Sequence, residues 1–245
     1  MRLDGSELPE WFEPDDDQIA LFVTPPLAFD LAAQLERTLL GCPSDWTIRL
    51  PARFLVRSLQ QMSLQEALHL DGASFIKHSI SKAFPAGIYR SAELAEVTVR
   101  IPRAALVHVG EPVHWLAEYR CFVRAGSVAT ISPYQRHGEV IGDDQSLFAP
   151  PEELEQARQF AQAVLYSPDV AFPPAFVLDV GLIEGRGWAV VEFNECWAAG
   201  IYACKPVHVL ATLIAACVPT SAMSPTNWDW DFRQHYLFAC ATEPE

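Results

Sequence analysis

The stretch Phe176-Val177-Leu178-Asp179-Val180-Gly181-Leu182-Ile183, followed by Glu184-Gly185-Arg186-Gly187 and then Trp188-Ala189-Val190-Val191-Glu192-Phe193-Asn194, decides the fold. Two apolar runs meeting at glycines predict a β-hairpin. A loop of two or four residues centred between Gly185 and Arg186 sets Asp179 opposite Glu192. Side chains alternate along a strand. One face then carries Phe176, Leu178, Val180, Leu182, Ala189, Val191 and Phe193, all core residues, and the other carries Asp179, Glu192 and Asn194. Carboxylates set directly opposite each other repel, which points to something positive between them. All-oxygen donors select a hard cation such as Mg²⁺ over zinc, and Mg²⁺ on one or two carboxylates completes its shell with water and nucleotide phosphates. The competing reading is a polar sheet face turned to water.

Composition narrows the class. The chain has 245 residues, enough for one large domain or two small ones, and 50% of them are hydrophobic, which supports a real core. A formal net charge of −14 argues against a surface that coats nucleic acid. The six cysteines show no C-x-x-C spacing, so a zinc site is not expected. The acidic start, with Asp4, Glu7, Glu10, Glu13 and Asp15 to Asp17, does not resemble an export leader, so free thiols and a cytoplasmic location are expected. The longest apolar stretch, Val207 to Val218, is too short to span a bilayer, so no membrane is expected as a partner.

Along the chain, Ile19 to Thr24 reads as a first strand and Leu27 to Leu40 as a helix ended by Gly41 and Pro43. Ser63-Leu64-Gln65-Glu66 fits a capping box, which predicts a short helix over Ser63 to Leu70. Ser74 to Lys77 reads as a strand end, with a loop to Gly87, and Val97 to Ile101 and Leu106 to Val109 as further strands. Ala117 to Val123 and Val128 to Ser132 form a second hairpin around Ala125-Gly126. Pro151 to Tyr166 is a helix with proline at its start and acids in its first turn, and Pro206 to Val218 is a buried helix. The tail with Trp228, Trp230 and Phe232 is expected as a last irregular strand; its aromatics either close the core or form a homo-oligomer interface. Mixed strands and helices with antiparallel hairpins predict an α+β fold.

Two more constellations carry chemistry. Lys77 and Lys82 bracket a loop of small and hydroxyl residues, His78-Ser79-Ile80-Ser81, where lysine acts as a point charge for phosphate. It lacks the Walker A order, and two solvated lysines are the simpler alternative. In Glu118-Tyr119-Arg120-Cys121-Phe122-Val123, alternation sets Glu118, Arg120 and Phe122 on one face. Charges two apart in an apolar strand line a cleft, or else form a surface ion pair contributing roughly 0–1 kcal/mol. Arg57, Arg124 and Arg136 are weaker phosphate candidates. Of the histidines, His78 stands out beside Lys77.

Taken in order, the lysine loop Lys82-Ala83-Phe84-Pro85-Ala86-Gly87, the strand Glu118-Tyr119-Arg120 and the pair Glu192-Phe193-Asn194 with Asp179 upstream resemble the ATP-grasp superfamily, and within it the small proteins of the R2K clade. The resemblance covers about Arg57 to Pro206. It implies two α+β subdomains gripping ATP, with residues 1–70 as a reduced substrate-side region, 71–110 as a lysine-loop subdomain and 111–245 as the metal-binding subdomain. It implies that Lys77 and Lys82 contact phosphates, and that Val107 to Glu111, Val109 and Glu111 included, lies by adenine and ribose. Arg120 would stabilise the γ-phosphoryl group, Arg120 and Lys82 would be catalytic, Glu118 would join the nucleotide contacts, and Asp179, Glu192 and Asn194 would hold Mg²⁺. The reaction implied joins a carboxylate to an amine or similar nucleophile through an acylphosphate, with a peptide or protein as a candidate acceptor. A nucleotide-binding module without catalysis and a phosphotransferase on the same scaffold are the alternatives.

Overall fold

The structure, a computed structural model, describes residues 19–25, 27–141 and 149–241, with side chains of the last helix described to residue 236. In chain order the elements are α1 (Leu27–Gln34), β1 (Arg37–Leu39), α2 (Ala52–Leu55), β2 (Leu59–Ser63), α3 (Leu64–Ala67), β3 (Ser74–His78), β4 (Gly87–Tyr89), α4 (Ser91–Val97) and β5 (Leu106–Gly110). There follow β6 (Trp115–Arg124), β7 (Ser127–Arg136), β8 (Glu139–Val140), α5 (Pro151–Leu165), β9 (Ala175–Ile183), β10 (Gly187–Asn194), α6 (Pro206–Ala216), β11 (Cys217–Pro219), α7 (Pro225–Trp228) and α8 (Phe232–Ala241). They build a small sheet of order β2-β5-β3-β4, a large sheet of order β10-β9-β6-β7-β8, and the pair β1-β11, all antiparallel. The fold is α+β, as expected.

The large sheet is covered on both faces. Tyr119, Cys121, Val123, Phe176, Leu178, Val180 and Val190 pack with Ala157, Ala161 and Val164 of α5. On the reverse face Phe122, Ala175 and Val177 pack with Trp197 and with Val209 and Leu213 of α6. Asp179 shares that reverse face and is fully buried, so this is not a sheet face open to water. A third cluster, with Leu64, Ile76, Phe84, Leu94, Val107 and Val109, fills the small lobe.

Local signals set several elements as expected. Ser63 Oγ accepts the Glu66 amide at 3.2 Å while Glu66 Oε2 accepts the Ser63 amide at 2.8 Å, the full capping box that starts α3. Four expectations are corrected. Residues 19–24 form no strand; the Val23 amide donates to the Trp197 carbonyl instead. The first helix stops at Gln34, because Glu36 turns to φ +52° and Arg37–Leu39 pairs with Cys217–Pro219. Val97 to Ile101 is the end of α4 and a turn, closed by the Ile101 amide on the Thr98 carbonyl. The tail is helical: Asp231 Oδ1 accepts the Arg233 amide at 3.1 Å at the start of α8, and only Asp231 bridges to Leu40. The division at residue 70 also falls inside the small lobe, since β2 is an edge strand of its sheet. The acidic segment before residue 19 lies outside the described residues. The described cysteines Cys42, Cys121, Cys196, Cys204 and Cys217 are buried free thiols. Among the described residues no helix is long and apolar enough to cross a membrane.

Candidate functional site

The hairpin brings Asp179 opposite Glu192, but by a different route from the one expected. Ile183 pairs with Gly187, so the loop is the three residues Glu184, Gly185 and Arg186, with Gly185 at φ +69° and Gly187 at φ +96°. That register continues to Val180 opposite Val190, then slips by one at Val191, and Glu192 pairs with Asp179. Val191 is the extra residue of a β-bulge. Val190 therefore takes the core position that regular alternation assigns to Val191, and Ala189 opposes Gly181 on the other face. Asn194 pairs with Val177, one step along the same face as Asp179.

Each carboxylate already has a cation. Arg120 opposes Asp179 across β6 and β9 and grips it with two hydrogen bonds, Nε to Oδ1 at 3.0 Å and Nη2 to Oδ2 at 2.6 Å. This pair is buried, with side-chain exposures of 8% and 0%, so it is no surface ion pair. Burial works against the Arg120 charge, but Asp179 outweighs it and holds the guanidinium above its ordinary pKa. Tyr134 and Tyr202, stacked on each other at 5.2 Å, pack together against the guanidinium, their ring centres 5.2 and 5.0 Å from its carbon, and Arg120 Nη1 donates to the Gly200 carbonyl at 3.1 Å. Glu192 is ion-paired with Lys77, which reaches from β3 of the small lobe. Burial pushes the Glu192 carboxyl up, but Lys77 and Asn194 pull it down further, to about 2. Asn194 Nδ2 ties the two carboxylates together, 2.9 Å from Asp179 Oδ2 and 3.0 Å from Glu192 Oε1.

Glu118, on the same face of β6, accepts from Tyr134 Oη at 2.5 Å and Gln135 Nε2 at 2.6 Å. Burial dominates, against the Tyr134 hydrogen bond, and raises its pKa to about 7, with Asp179 and Glu192 adding to the rise. On the small lobe the cross-strand row Gln61, His108, Lys77 faces the cleft. His108 is held down at about 4, first by burial and then by the Lys77 charge, so it is neutral at pH 7. A cavity of about 100 Å³ runs between the lobes. Leu59, Phe75, Pro112, Val113 and Trp115 line it by the β5–β6 link, and Lys77, His108 and Glu192 line its charged portion.

Other expected residues stand elsewhere. Lys82 is exposed on the loop after β3 and makes no ion pair among the described residues. Val109 turns into the small-lobe core, and its neighbour His108 faces the cleft. Glu111 lines the cavity, but its carboxylate takes the Ser58 amide at 3.1 Å and pairs with Arg186. His78 Nδ1 accepts the Ile80 and Ser81 amides at 3.3 and 3.1 Å, which shapes the lysine loop. Sequence reasoning missed the Lys77–Glu192 contact and the tyrosine pair around Arg120. Only the alternation of β7, which sets Ser132 opposite Arg120 and Gln135 opposite Glu118, carried a trace of the latter.

The fit to Mg²⁺ rests on donor chemistry. Among the described residues no three His, Cys, Asp or Glu gather in a metal-binding group. Asp179, Glu192 and Asn194 instead offer two carboxylates and an amide, all on one face. The Asn194 amide stands where both carboxylates meet, and half a turn about its terminal bond presents Oδ1 there. Such a set suits Mg²⁺, which keeps water and phosphate in its remaining positions.

Several solved structures are similar in fold. The RimK domain ATP-grasp protein from Sphaerobacter thermophilus shares 15% identity at a TM-score of 0.45, over 67% of this chain and 61% of that one. D-alanine–D-alanine ligase from Bacillus anthracis, complexed with ATP, shares 14% identity at a TM-score of 0.44, over 80% of this chain and 67% of that one. The ATP-grasp ligase PsnB, complexed with a minimal precursor, shares 15% identity at 0.39, over 73% of this chain and 56% of that one. The chain thus spans 61% of the length of the RimK domain protein. No curated protein matches it. The family model described as ATP-grasp domain, R2K clade family 2, matches residues 54–212, the span that contains β2 through β10 and most of α6. Well over half of the chain is covered by that match, and the chain belongs to family 2 of the R2K clade of ATP-grasp domains.

Proposed function

We propose that this protein is an ATP- and Mg²⁺-dependent ligase that joins a carboxylate to an amine. The observation that carries the proposal is the charged cluster spanning the cleft, in which Lys77 of one lobe meets Glu192 of the other beside the buried pair of Arg120 and Asp179. Membership of an ATP-grasp family supplies the nucleotide. The cavity holds about 100 Å³, below the roughly 300 Å³ at which pockets for drug-sized ligands begin. Admitting ATP needs this cleft widened, and the Lys77–Glu192 ion pair across it is the contact that such widening would break.

Phosphoryl transfer asks the protein for positioning and neutral charge more than for covalent help. Lys77, freed from Glu192, supplies a cation for phosphate oxygens, and Arg120 supplies a second one held in place by Asp179 and the two tyrosine rings. Asp179, Glu192 and Asn194 would hold Mg²⁺, which when bound would supply positive charge to offset that of the phosphates. The substrate carboxylate attacks the γ-phosphorus of ATP and ADP leaves. The amine then attacks the acylphosphate carbonyl and phosphate leaves. Glu118, at about 7, is suited to exchange a proton near neutral pH.

Titration calorimetry with ATP and Mg²⁺ tests binding, and ADP release across a library of acids, amines, amino acids and peptides tests the reaction. The expected result is ATP binding that Mg²⁺ tightens, together with amide formation matched to ADP. Absence of ATP binding by the wild-type protein refutes the proposal. Binding with a stable phosphorylated product supports a phosphotransferase instead.

A further inference from the structure

The bulge at Val191 gives Glu192 its place, and one side chain closes on it. The three-residue loop sets a register in which regular pairing would put Val191 opposite Asp179 and Glu192 opposite Leu178. Leu178 faces the α5 core, so regular pairing would drive Glu192 into hydrocarbon. The extra residue restores Glu192 to the Asp179 face. A bulge disrupts the local ladder, and main-chain carbonyls there need donors from elsewhere.

Arg57 supplies them. Its Nη1 donates to the Val190 carbonyl at 2.7 Å and its Nη2 to the Val191 carbonyl at 2.9 Å, the two residues at the slip in register. Nη1 also donates to the Leu55 carbonyl at 3.1 Å, which ties the bulge to the end of α2. The guanidinium carbon lies 4.9 Å from the centre of the Trp115 ring, so the fork is held in one plane. Three of its N–H donors are thus committed to main chain rather than turned to the cavity that Arg57 lines.

We infer that Arg57 is a positioning residue for metal binding: it fixes the β-bulge that aims the Glu192 carboxylate, and with it Asn194, toward Asp179. The inference rests on the proposed Mg²⁺–ATP site. Lysine cannot replace Arg57 here, because a single ammonium lacks the planar fork that spans the two carbonyls.

The test compares wild type, Arg57→Met and Arg57→Lys, since methionine keeps the apolar stem against Trp115. ATP affinity is measured with and without Mg²⁺. Partners that orient metal-binding side chains cost about 10–100-fold in metal affinity when lost, so Arg57→Met is expected to lose at least about tenfold of the tightening that Mg²⁺ gives. Its affinity for ATP without Mg²⁺ is expected to change far less, and Arg57→Lys is expected to recover little. A readout without any ligand accompanies it. The Asn194 side-chain amide, bonded to both carboxylates, is expected as a shifted NMR pair in wild type that moves toward free asparagine in Arg57→Met. An equal loss of affinity with and without Mg²⁺ would show that Arg57 serves nucleotide or fold generally, and it overturns the inference. Full tightening in Arg57→Met, or an unmoved Asn194 amide, also overturns it. If wild type itself shows no tightening by Mg²⁺, the proposed function fails, and the amide signal still decides the role of Arg57 in the bulge.

Discussion

Removing one partner of the Arg120–Asp179 pair isolates what that pair does for the fold from what it does for chemistry. Asp179→Leu leaves a guanidinium with 8% exposed side chain and no carboxylate in contact, packed against two tyrosine rings. Breaking a buried pair in this way costs about 3–5 kcal/mol, because the surviving charge is stranded away from water. For a domain of this size each kcal/mol lowers Tm by about 2–4 °C, so the expected fall is roughly 6–20 °C. Arg120→Met strands Asp179 instead, with Asn194 Nδ2 as its remaining donor, and is expected to cost a similar amount. The double variant Asp179→Leu with Arg120→Met strands neither charge. It is expected to return to within about 1–2 kcal/mol of wild type or to exceed it, as apolar replacements of buried pairs do. Scanning calorimetry and guanidinium unfolding of the four proteins give the coupling between the two sites. Single variants within about 1 kcal/mol of wild type, or a double variant as unstable as the sum of the singles, would refute the reasoning. A stable double variant that no longer binds Mg²⁺–ATP would assign the pair to function rather than to stability.

Glu118 gives stability a pH slope. Its pKa of about 7 when folded lies above the ordinary 4.5, so between these values the folded protein keeps a proton that the unfolded chain has released. Stability then falls as pH rises from about 4.5 to 7, by roughly 3 kcal/mol, and levels off above. Glu118→Gln should lack that slope, and a wild-type-minus-variant difference that stays flat over this range would sink the idea. For Glu192 the sign is opposite. Its carboxyl, at about 2, contributes stability that is present above about 4.5 and lost as pH falls toward 2. Lys77→Met should move the Glu192 carboxyl resonance to titrate well above 2 in carbon-13 NMR; an unchanged titration would mean that Asn194 and the Arg120 charge hold it without Lys77. Gly181 leaves no room for a side chain, since a Cβ there would lie 2.6 Å from Trp115 Cε3 and 3.0 Å from the Ala117 carbonyl. Gly181→Ala is expected to cost about 1–3 kcal/mol by overpacking and to displace Trp115 from the cavity wall, seen as a lower Tm and altered tryptophan fluorescence. A Tm equal to that of wild type would show that Trp115 yields freely.

What the sequence disclosed was mostly local. The hairpin from Phe176 to Asn194 was legible because strand, turn and strand adjoin, and the pairing of Asp179 with Glu192 follows from their spacing. The compensation beneath it was not legible. A three-residue loop and one bulged residue shift the register by the same amount as a loop of even length, and alternation alone does not tell these apart. Arg57 was visible only as a cation, since its two carbonyl partners at the bulge, Val190 and Val191, lie more than 130 positions away. The helical spacing of Leu27 to Leu40 misled for the same reason, because Arg37–Leu39 answers to Cys217–Pro219 rather than to its neighbours. The aromatics Trp228 and Phe232 suggested a strand, while the Asp231 cap between them sets a helix. Lys77 was legible as a phosphate-binding candidate, but its ion pair with Glu192 depends on how the two sheets meet.

The Lys77–Glu192 contact makes the resting protein its own competitor. An anion that captures Lys77 orphans an acid, and a cation that captures Glu192 orphans an amine, so either visitor arriving alone leaves one charge unanswered. Only a guest carrying both signs at the right separation settles the two debts together. If the proposed function holds, a chain wired in this way would tell loose nucleotide from its magnesium complex before any bond is made.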